Sequence, residues 1–520
     1  MTLAAELDGI GRLLVVGMAR SGIAAALVAR KMLPRVEVVI ADREFEPKEA
    51  AQVAALLEAG VRVELGREDN ALLDGAGLVV KSPGVPQENS LLLEAHMLGI
   101  PVWGEVEFAW RFLPNLIVGV TGTNGKTTTT ELLGHILSSA GRSCRVAGNV
   151  GVALSSLIGE VDEDTLLVVE LSSFQLEDSI DFRPDLAILL NLAEDHLDRH
   201  PDIESYLSAK MRIFENQHSD NVSVINLDDP NCRRPVPGQA SRVWFSRSAG
   251  DAKPDAGESG EPLVFVRQGV LRANLHGLYV AGAGLRSRLP RSWAEGSVSG
   301  SEKEEKPGLA TASGRNGAGG GEVSIGVGSQ AVLDWSESAL KGDHNLDNCL
   351  AAAAACLSLG LNVGEVAAGI TSFPGVPHRL QEIGVVNGVT YVNDSKATNV
   401  DAALKALTAY RRGVHLILGG RAKGCDFDEL AMAASAPGVS EVILIGEAAN
   451  DIAASFDLVG GDVVVTDDLE QAVLIASEHA QPGDTVLLSP ACASFDQYDN
   501  YEQRGDHFMK LVEDLKERGA

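Results

Sequence analysis

The chain has 520 residues, 45% of them hydrophobic and 22% charged, more than one ordinary core organises, so two to four domains are expected. A net charge of −29 argues against general nucleic-acid or acidic-membrane binding, and any anionic ligand must be met by local positive groups. The opening MTLAAELDGIGRLLVVG lacks a basic start ahead of an apolar core, no apolar run approaches membrane-spanning length, and the six cysteines form no C-x-x-C pair. A reduced, cytoplasmic setting without a disulfide framework or zinc site is therefore expected.

Taken in chain order, short β-rich runs alternate with Ala/Leu-rich helical stretches, the pattern of α/β units built on parallel sheets. RLLVVG, VEVVIAD and GLVVKSPG form a first set of strands. LIVGVTG, TLLVVELSS, DLAILLNL and SVINLDD form a second; VTYVNDS, VHLILGG, EVILIG and DTVLLSPA form a third. Three α/β units are expected, with boundaries near Gly104 and near Pro374-Gly375. Residues 283–328 break the rhythm. They contain SVSGSEKEEKPGLATASGRNGAGGGE, almost without core-forming residues, and are expected to be a disordered surface insertion.

In the first unit, GMARSG at 17–22 follows a strand and precedes a helical run. Ala19 stands where a dinucleotide fingerprint has its second glycine, which weakens a nicotinamide-dehydrogenase reading. The helix start after Ser21 can still receive an anion through free N–H groups. Asp42, closing the second strand, is placed to read a ribose or base edge. A diphosphate nucleotide is the favoured ligand, against a bare structural turn.

The second unit opens on GVTGTNGKTT, 119–128. The strict phosphate-loop pattern wants glycine at Val120; Gly122 and Gly125 shorten the loop, so Val120 belongs to the strand. Strand before and helix after favour a phosphate site, with Lys126 neutralising the outer phosphates and the Thr127 hydroxyl reaching Mg²⁺. Glu170 closes the next strand as an acidic Mg²⁺ partner would, and the strand after it delivers Asn191, Glu194, Asp195 and His196. One such acid is more often a solvated strand end. Glu170 and His196 at successive strand ends beside a phosphate loop point instead to a second metal position. Lys210, in SYLSAKMRIFEN, reads on its own as a surface lysine with a snorkelling stem.

Together GTNGKTT, ELSSFQLE at 170–177, NLAEDHLDRH, the helix with Lys210, and GDHNLDN at 342–348 resemble the Mur ligase family over nearly the whole chain outside 283–328. The resemblance implies a Rossmann-like UDP-substrate domain at 1–104, a central P-loop-type ATP-binding domain at 105–375 and a Rossmann-like amino-acid domain at 376–520. It implies ATP-dependent amide ligation in peptidoglycan synthesis by a monomer, with two Mg²⁺ ions. DSKATN with SPACASFDQY is most similar to members adding D-glutamate to UDP-N-acetylmuramoyl-L-alanine.

The family's residue roles carry over by position. Gly122, Thr123, Asn124, Gly125, Lys126, Thr127 and Thr128 would hold ATP phosphates; Asn345 and Asn348 would reach the adenine and phosphate side. Thr127 and Glu170 would hold magnesium. His196 would join at the second ion with Lys210, carbamylated by CO₂. Arg20, Ser21, Asp42, Ser82 and Gly84 would bind the UDP part and Asn149 the muramoyl part, although Arg43-Glu44 follows Asp42 where relatives can have Thr-Arg. Arg379 and Asp394 would touch ATP. Lys396, Thr398, Lys423 and Ser494, walled by Tyr501, would hold D-glutamate, whose two carboxylates call for separate cationic or hydroxyl donors. Competing expectations are a relative that adds another amino acid, and a nucleotide-gated binding protein without ligation. A folylpolyglutamate synthase would begin directly at the ATP-binding domain, so the first unit argues against it.

Overall fold

The computed structural model describes residues 7, 9–43, 50–67, 69–193, 199–247, 263–290, 293, 329–338, 340, 342–410, 412–422 and 426–519. The chain divides into two compact units, Met1–Phe373 and Pro374–Ala520. The first unit carries two sheets and the second carries one.

The first sheet consists of β1 (Arg12–Val16), β2 (Glu37–Asp42), β3 (Arg62–Leu65), β4 (Ala76–Lys81) and β5 (Val102–Gly104), all parallel, in the order β3-β2-β1-β4-β5. The order reverses at β1, so the crevice beyond β1 and β4 is a topological switch point. The helix Arg20–Met32 returns from β1 tightly: a Cβ on Gly22 would stand 1.9 Å from the Gly17 carbonyl.

The second sheet contains β6 (Ile117–Thr121), β7 (Cys144–Gly148), β8 (Leu166–Glu170), β9 (Leu186–Leu189), β10 (Val222–Asn226), β11 (Ser241–Ser246), β12 (Val264–Arg267), β13 (Val270–Asn274) and β14 (Ser329–Asp334). Their order is β14-β13-β12-β11-β10-β9-β6-β8-β7. β6, β8, β9 and β10 are buried on both faces, which is why their sequences are continuous Val/Ile/Leu runs. Val120 lies in β6, fully buried. The helices Lys126–Ser139 and Asp343–Ser358 pack on this sheet, and alanines 351–355 are wholly buried so that the backbones approach closely.

Both sheets of the first unit share buried polar ties. Lys81, on β4, is 1% exposed and reaches Asp178 at 2.6 Å; the Glu105 carboxylate accepts from Ser155 N–H at 2.7 Å. Burial raises both carboxyl pKa values, opposed by Lys81 at Asp178 and by the Ser155 hydrogen bonds at Glu105.

The third sheet contains β15 (Gln381–Val386), β16 (Val389–Asn393), β17 (Val414–Gly419), β18 (Val439–Ile445), β19 (Val464–Val465) and β20 (Thr485–Ala491), in the order β15-β16-β20-β17-β18-β19.

Three details differ from the sequence expectations. The sheets are not wholly parallel: β12, β13 and β14 pair antiparallel, as do β15 and β16. Two-residue turns make two of these hairpins, Gln268-Gly269 (φ +53°, +77°) and Asn387-Gly388 (φ +52°, +83°), the left-handed pairs that match strand twist. DSKATN consequently follows the second strand of its unit, not the first. The expected insertion begins later than residue 283, because Ala283–Arg286 is helical with Leu285 fully buried and Trp293 is 7% exposed. The remainder, 294–328, lies outside the described residues. No helix among the described residues is long and apolar enough to cross a membrane.

Candidate active site

The phosphate loop leaves β6 at Thr121 and enters the helix at Lys126. Gly125 is the N-cap, left-handed at φ +85°, and among the described residues no side chain caps the helix. The first-turn N–H groups are therefore directed out of the helix end, as anion binding requires. Gly125 has a second reason to lack a side chain: a Cβ would stand 2.2 Å from Asn348 Oδ1. Asn348 is 2% exposed, accepts from Thr129 Oγ1 at 3.2 Å and donates to Asn345 Oδ1 at 3.3 Å. Asn348 thus packs directly against Gly125 at the end of the loop, with Asn345 behind it.

Asn191 clamps the loop tip. Its Oδ1 accepts from Asn124 N–H at 2.8 Å, its Nδ2 donates to Asn124 O at 3.0 Å, and its carbonyl accepts from Thr123 N–H at 2.9 Å. The Thr123 hydroxyl meets Tyr206 Oη at 3.0 Å. Lys126 Nζ donates to the carbonyls of Gly122 and Thr123, both at 2.8 Å. Thr127 and Thr128 are buried in the first turn.

Lys210 is 1% exposed, so the surface reading of this residue was wrong. Its stem lies in the helix Ile203–Met211, whose Asp202–Ser205 capping box sets the entry; Nζ donates to Gly122 O at 2.9 Å and sits 4.7 Å from the Tyr206 ring centre. Periodicity on a short helix could not separate this buried face from a solvated one.

Glu170 pairs beside Val120 across β6 and β8 and is 3% exposed. Its Oε1 accepts from Asn149 Nδ2 at 3.0 Å, while among the described residues Oε2 is buried without a hydrogen-bond partner. A buried carboxylate oxygen without a donor, next to a phosphate loop, fits a cation. His196, Glu194 and Asp195 lie outside the described residues. Asn149 N–H donates to Glu170 O at 2.9 Å, and the Asn149 carbonyl accepts from Arg20 Nη2 at 2.8 Å. Glu170, Asn149 and Arg20 therefore form one chain from the second sheet to the first helix.

At the switch point of the first sheet a cavity of about 220 Å³ is lined by Asp42, Ser82 and Gly84, and by Arg43 and Arg67. Asp42 Oδ2 accepts from Met18 N–H at 2.5 Å; Ser82 Oγ donates to Gly17 O at 3.1 Å and lies 3.5 Å from Ser21 Oγ. Arg67 is a residue the motifs did not reveal, since it sits alone after β3. Asp347 is another. It lies one residue before Asn348, 3.1 Å from Arg247 Nε, and burial pushes its carboxyl to about 7 against Arg247.

In the second unit, Asp394 accepts from Ser489 Oγ at 2.8 Å and Leu380 N–H at 3.1 Å, and burial raises it to about 6. Arg379 lowers that value from nearby. Lys396 Nζ lies 5.7 Å from the Tyr501 ring centre, within cation–π range. Thr398 closes a tight turn onto Lys396 O at 2.9 Å, and Ser494 is 2% exposed. Lys423 lies outside the described residues.

Family models match three stretches: Mur ligase MurD-like, N-terminal domain at 11–104; Mur ligase middle domain at 120–261; and Mur ligase, glutamate ligase domain at 378–492. The UDP-N-acetylmuramoylalanine–D-glutamate ligase of Acidobacterium capsulatum is 38% identical over 99% of this chain and 98% of its own. The ligase of the same name from Koribacter versatilis is 37% identical over 98% of each chain. Among solved structures, MurF ligase from Thermotoga maritima in complex with ADP superposes with a TM-score of 0.52 at 18% identity, covering 93% of this chain and 96% of that one. UDP-N-acetylmuramate-alanine ligase from the same organism gives 0.51 at 18%, covering 97% and 99%. At such identities the two structures share the fold.

Proposed function

The chain belongs to the Mur ligase family, and from that premise we propose a residue-level account of its reaction. It is an ATP-dependent ligase that adds D-glutamate to UDP-N-acetylmuramoyl-L-alanine in peptidoglycan synthesis. The full-length match to relatives of that name carries this reading.

The Gly122–Thr128 loop receives the ATP phosphates on its free N–H groups, with Lys126 exchanging its two loop carbonyls for phosphate oxygens. Thr127 and the free oxygen of Glu170 would hold magnesium; His196 and a carbamate on Lys210 would hold a second ion. Bound there, magnesium supplies charge neutralisation for the transferring phosphoryl group. A carbamylated Lys210 keeps one N–H for the Gly122 carbonyl, so the modification is compatible with the bond it makes now. Arg20, Ser21, Asp42, Ser82 and Gly84 take the UDP part at the switch-point cavity, and Asn149 faces the muramoyl part.

In the second unit Arg379 and Asp394 serve ATP, while Lys396, Thr398, Lys423, Ser494 and Tyr501 form the D-glutamate pocket. The substrate carboxylate attacks the γ-phosphate, releasing ADP and forming an acyl phosphate. The neutral amine of D-glutamate then attacks that carbonyl, phosphate leaves with the bonding pair, and the amine proton passes to solvent. Lys126 stabilises charge through the first step by position alone. The reaction is assigned to the cytoplasm, since ATP is its co-substrate.

The test is phosphate release from UDP-N-acetylmuramoyl-L-alanine and ATP, comparing D-glutamate, L-glutamate, L-alanine and meso-diaminopimelate. D-Glutamate should dominate, because a neutral side chain leaves the proposed lysine and hydroxyl donors without the carboxylate they are placed to meet. Preference for any other member of the panel overturns the pocket assignment.

A further inference from the structure

One large polar side chain of the second unit is buried without serving the reaction directly. Arg504, in the helix Tyr501–Gly519, is 1% exposed. Nε donates to Ser395 Oγ at 3.0 Å and Nη2 to Ser395 O at 2.9 Å. Nη2 also reaches Cys492 O at 3.2 Å, and Nη1 reaches Gly419 O at 3.5 Å. Those acceptors belong to three different strand ends: the loop after β16, the last residue of β17 and the loop after β20. Among the described residues no carboxylate forms an ion pair with it. Burial lowers its pKa only to about 10, so it remains a cation at neutral pH.

A buried guanidinium held by carbonyls is a costly way to fill a core, and an apolar side chain of the same volume would stabilise at least as well. What the guanidinium adds is geometry. Its planar fork can hold several acceptors at fixed angles, which neither an ammonium nor an aliphatic chain does. The backbone it grips is strained. Ala491 stands at φ +60°, a region an alanine avoids, and Gly419 and Gly420 are at +121° and +131°, where a Cβ would meet carbonyls at 1.9 and 2.3 Å. Arg421 and Ala493 exchange both backbone hydrogen bonds, at 2.8 and 3.1 Å, so the loops after β17 and β20 are joined above the guanidinium. Ser395 Oγ also donates to Tyr501 O at 2.8 Å, tying the helix start to the loop after β16.

We propose that Arg504 is a positioning residue for amino-acid specificity: by gripping Ser395, Gly419 and Cys492 together it sets the relative places of the loops after β16 and β20 that carry Lys396 and Ser494. The inference rests on the assignment of those residues to D-glutamate. Lys396 and Ser494 follow different strands, and Arg504 bonds to both of those strand ends and to the end of β17, the neighbour of β20 in the sheet. Loosening it shifts the donors relative to one another while leaving each in place on its own loop.

Arg504→Lys retains the charge but not the fork; Arg504→Met retains the volume but neither. For Arg504→Lys the KM for D-glutamate should rise at least about tenfold, since misplacement by about 1 Å can cost a hundredfold. The KM for UDP-N-acetylmuramoyl-L-alanine should stay within about twofold, because that site lies in the first unit. Arg504→Met should show a larger rise, and millimolar guanidinium added to Arg504→Ala should lower the D-glutamate KM again. Equal losses for all substrates, or a folded Arg504→Lys with an unchanged D-glutamate KM, overturn the inference. If Arg504→Lys fails to fold, Ser395→Ala, which removes one of the four bonds, must raise the same KM or the inference falls. Failure of the underlying assignment is visible separately, as a wild-type enzyme that prefers another amino acid.

Discussion

Gly125→Ala tests the physical account of the phosphate loop most directly. Two costs are built into the position. Holding alanine at φ +85° costs about 1–2 kcal/mol, because its Cβ crowds the following carbonyl. The new Cβ would also fall 2.2 Å from Asn348 Oδ1, so Asn348 must move and abandon Thr129 and Asn345. Leaving a buried amide unsatisfied costs about 1–3 kcal/mol. The first unit should therefore lose about 2–5 kcal/mol, and nucleotide binding should fall with the displaced N–H groups. Tryptophan fluorescence in urea reads that unit selectively, because Trp103, Trp110, Trp244, Trp293 and Trp335 all precede Phe373. The decisive comparison is the same substitution in an Asn348→Ala background, where the clash is gone and only the backbone term of about 1–2 kcal/mol remains. An equal cost in both backgrounds would refute the steric account.

Four further outcomes are expected. Lys126→Ala should abolish ATP-dependent phosphate release while the circular dichroism spectrum is retained; near-normal turnover would remove Lys126 from the phosphate site. Lys210→Ala should be nearly inactive and partly restored by a small carboxylic acid, with ¹³CO₂ labelling of the wild type showing a carbamate. A fully active Lys210→Ala without label would end that reading. Deleting residues 297–321 should shift the melting temperature very little, since shortening a loop changes closure entropy only by about 0.6 kcal/mol per halving; a large loss of activity would reveal a role in the segment. Asp394 has a folded pKa of about 6 against 3.8, so its contribution is fully present below pH 3.8 and is lost as pH rises through 6. Asp394→Asn should therefore flatten the fall in stability of the second unit between pH 4 and 7, measured by hydrogen exchange, and an unchanged slope would contradict the burial of that carboxyl.

The strand, glycine turn and helix of 117–139 were legible in the sequence because they are contiguous, and a local pattern can state all three. Glu170 was legible for the same reason, as the acid closing an unbroken apolar strand. The two hairpins were also written in the chain, as Gln268-Gly269 and Asn387-Gly388, but the dominant β-then-helix rhythm hid them. Lys210 and Arg504 were not legible. A charged residue on a helix reads by default as solvent-facing, and only packing against a distant loop buries these two. Arg67 was invisible for another reason: the cavity it lines is assembled from the ends of four strands that only the sheet brings together.

The Gly122 carbonyl, on which Lys126 and Lys210 converge at 2.8 and 2.9 Å, sets a threshold for what can enter the loop. An arriving anion competes with two charge-assisted bonds already made by Lys126, each worth about 1.5–3 kcal/mol. Free phosphate, touching the loop through one group, offers too little in return. A triphosphate offers several oxygens to the helix N–H groups at once and can take Lys126 away. Lys210 stays behind on the vacated carbonyl, so the exchange strands no buried acceptor at that residue. In the phosphate site proposed for it, the loop would favour ligands bearing several phosphates over free phosphate, which a competition of inorganic phosphate against ATP would measure.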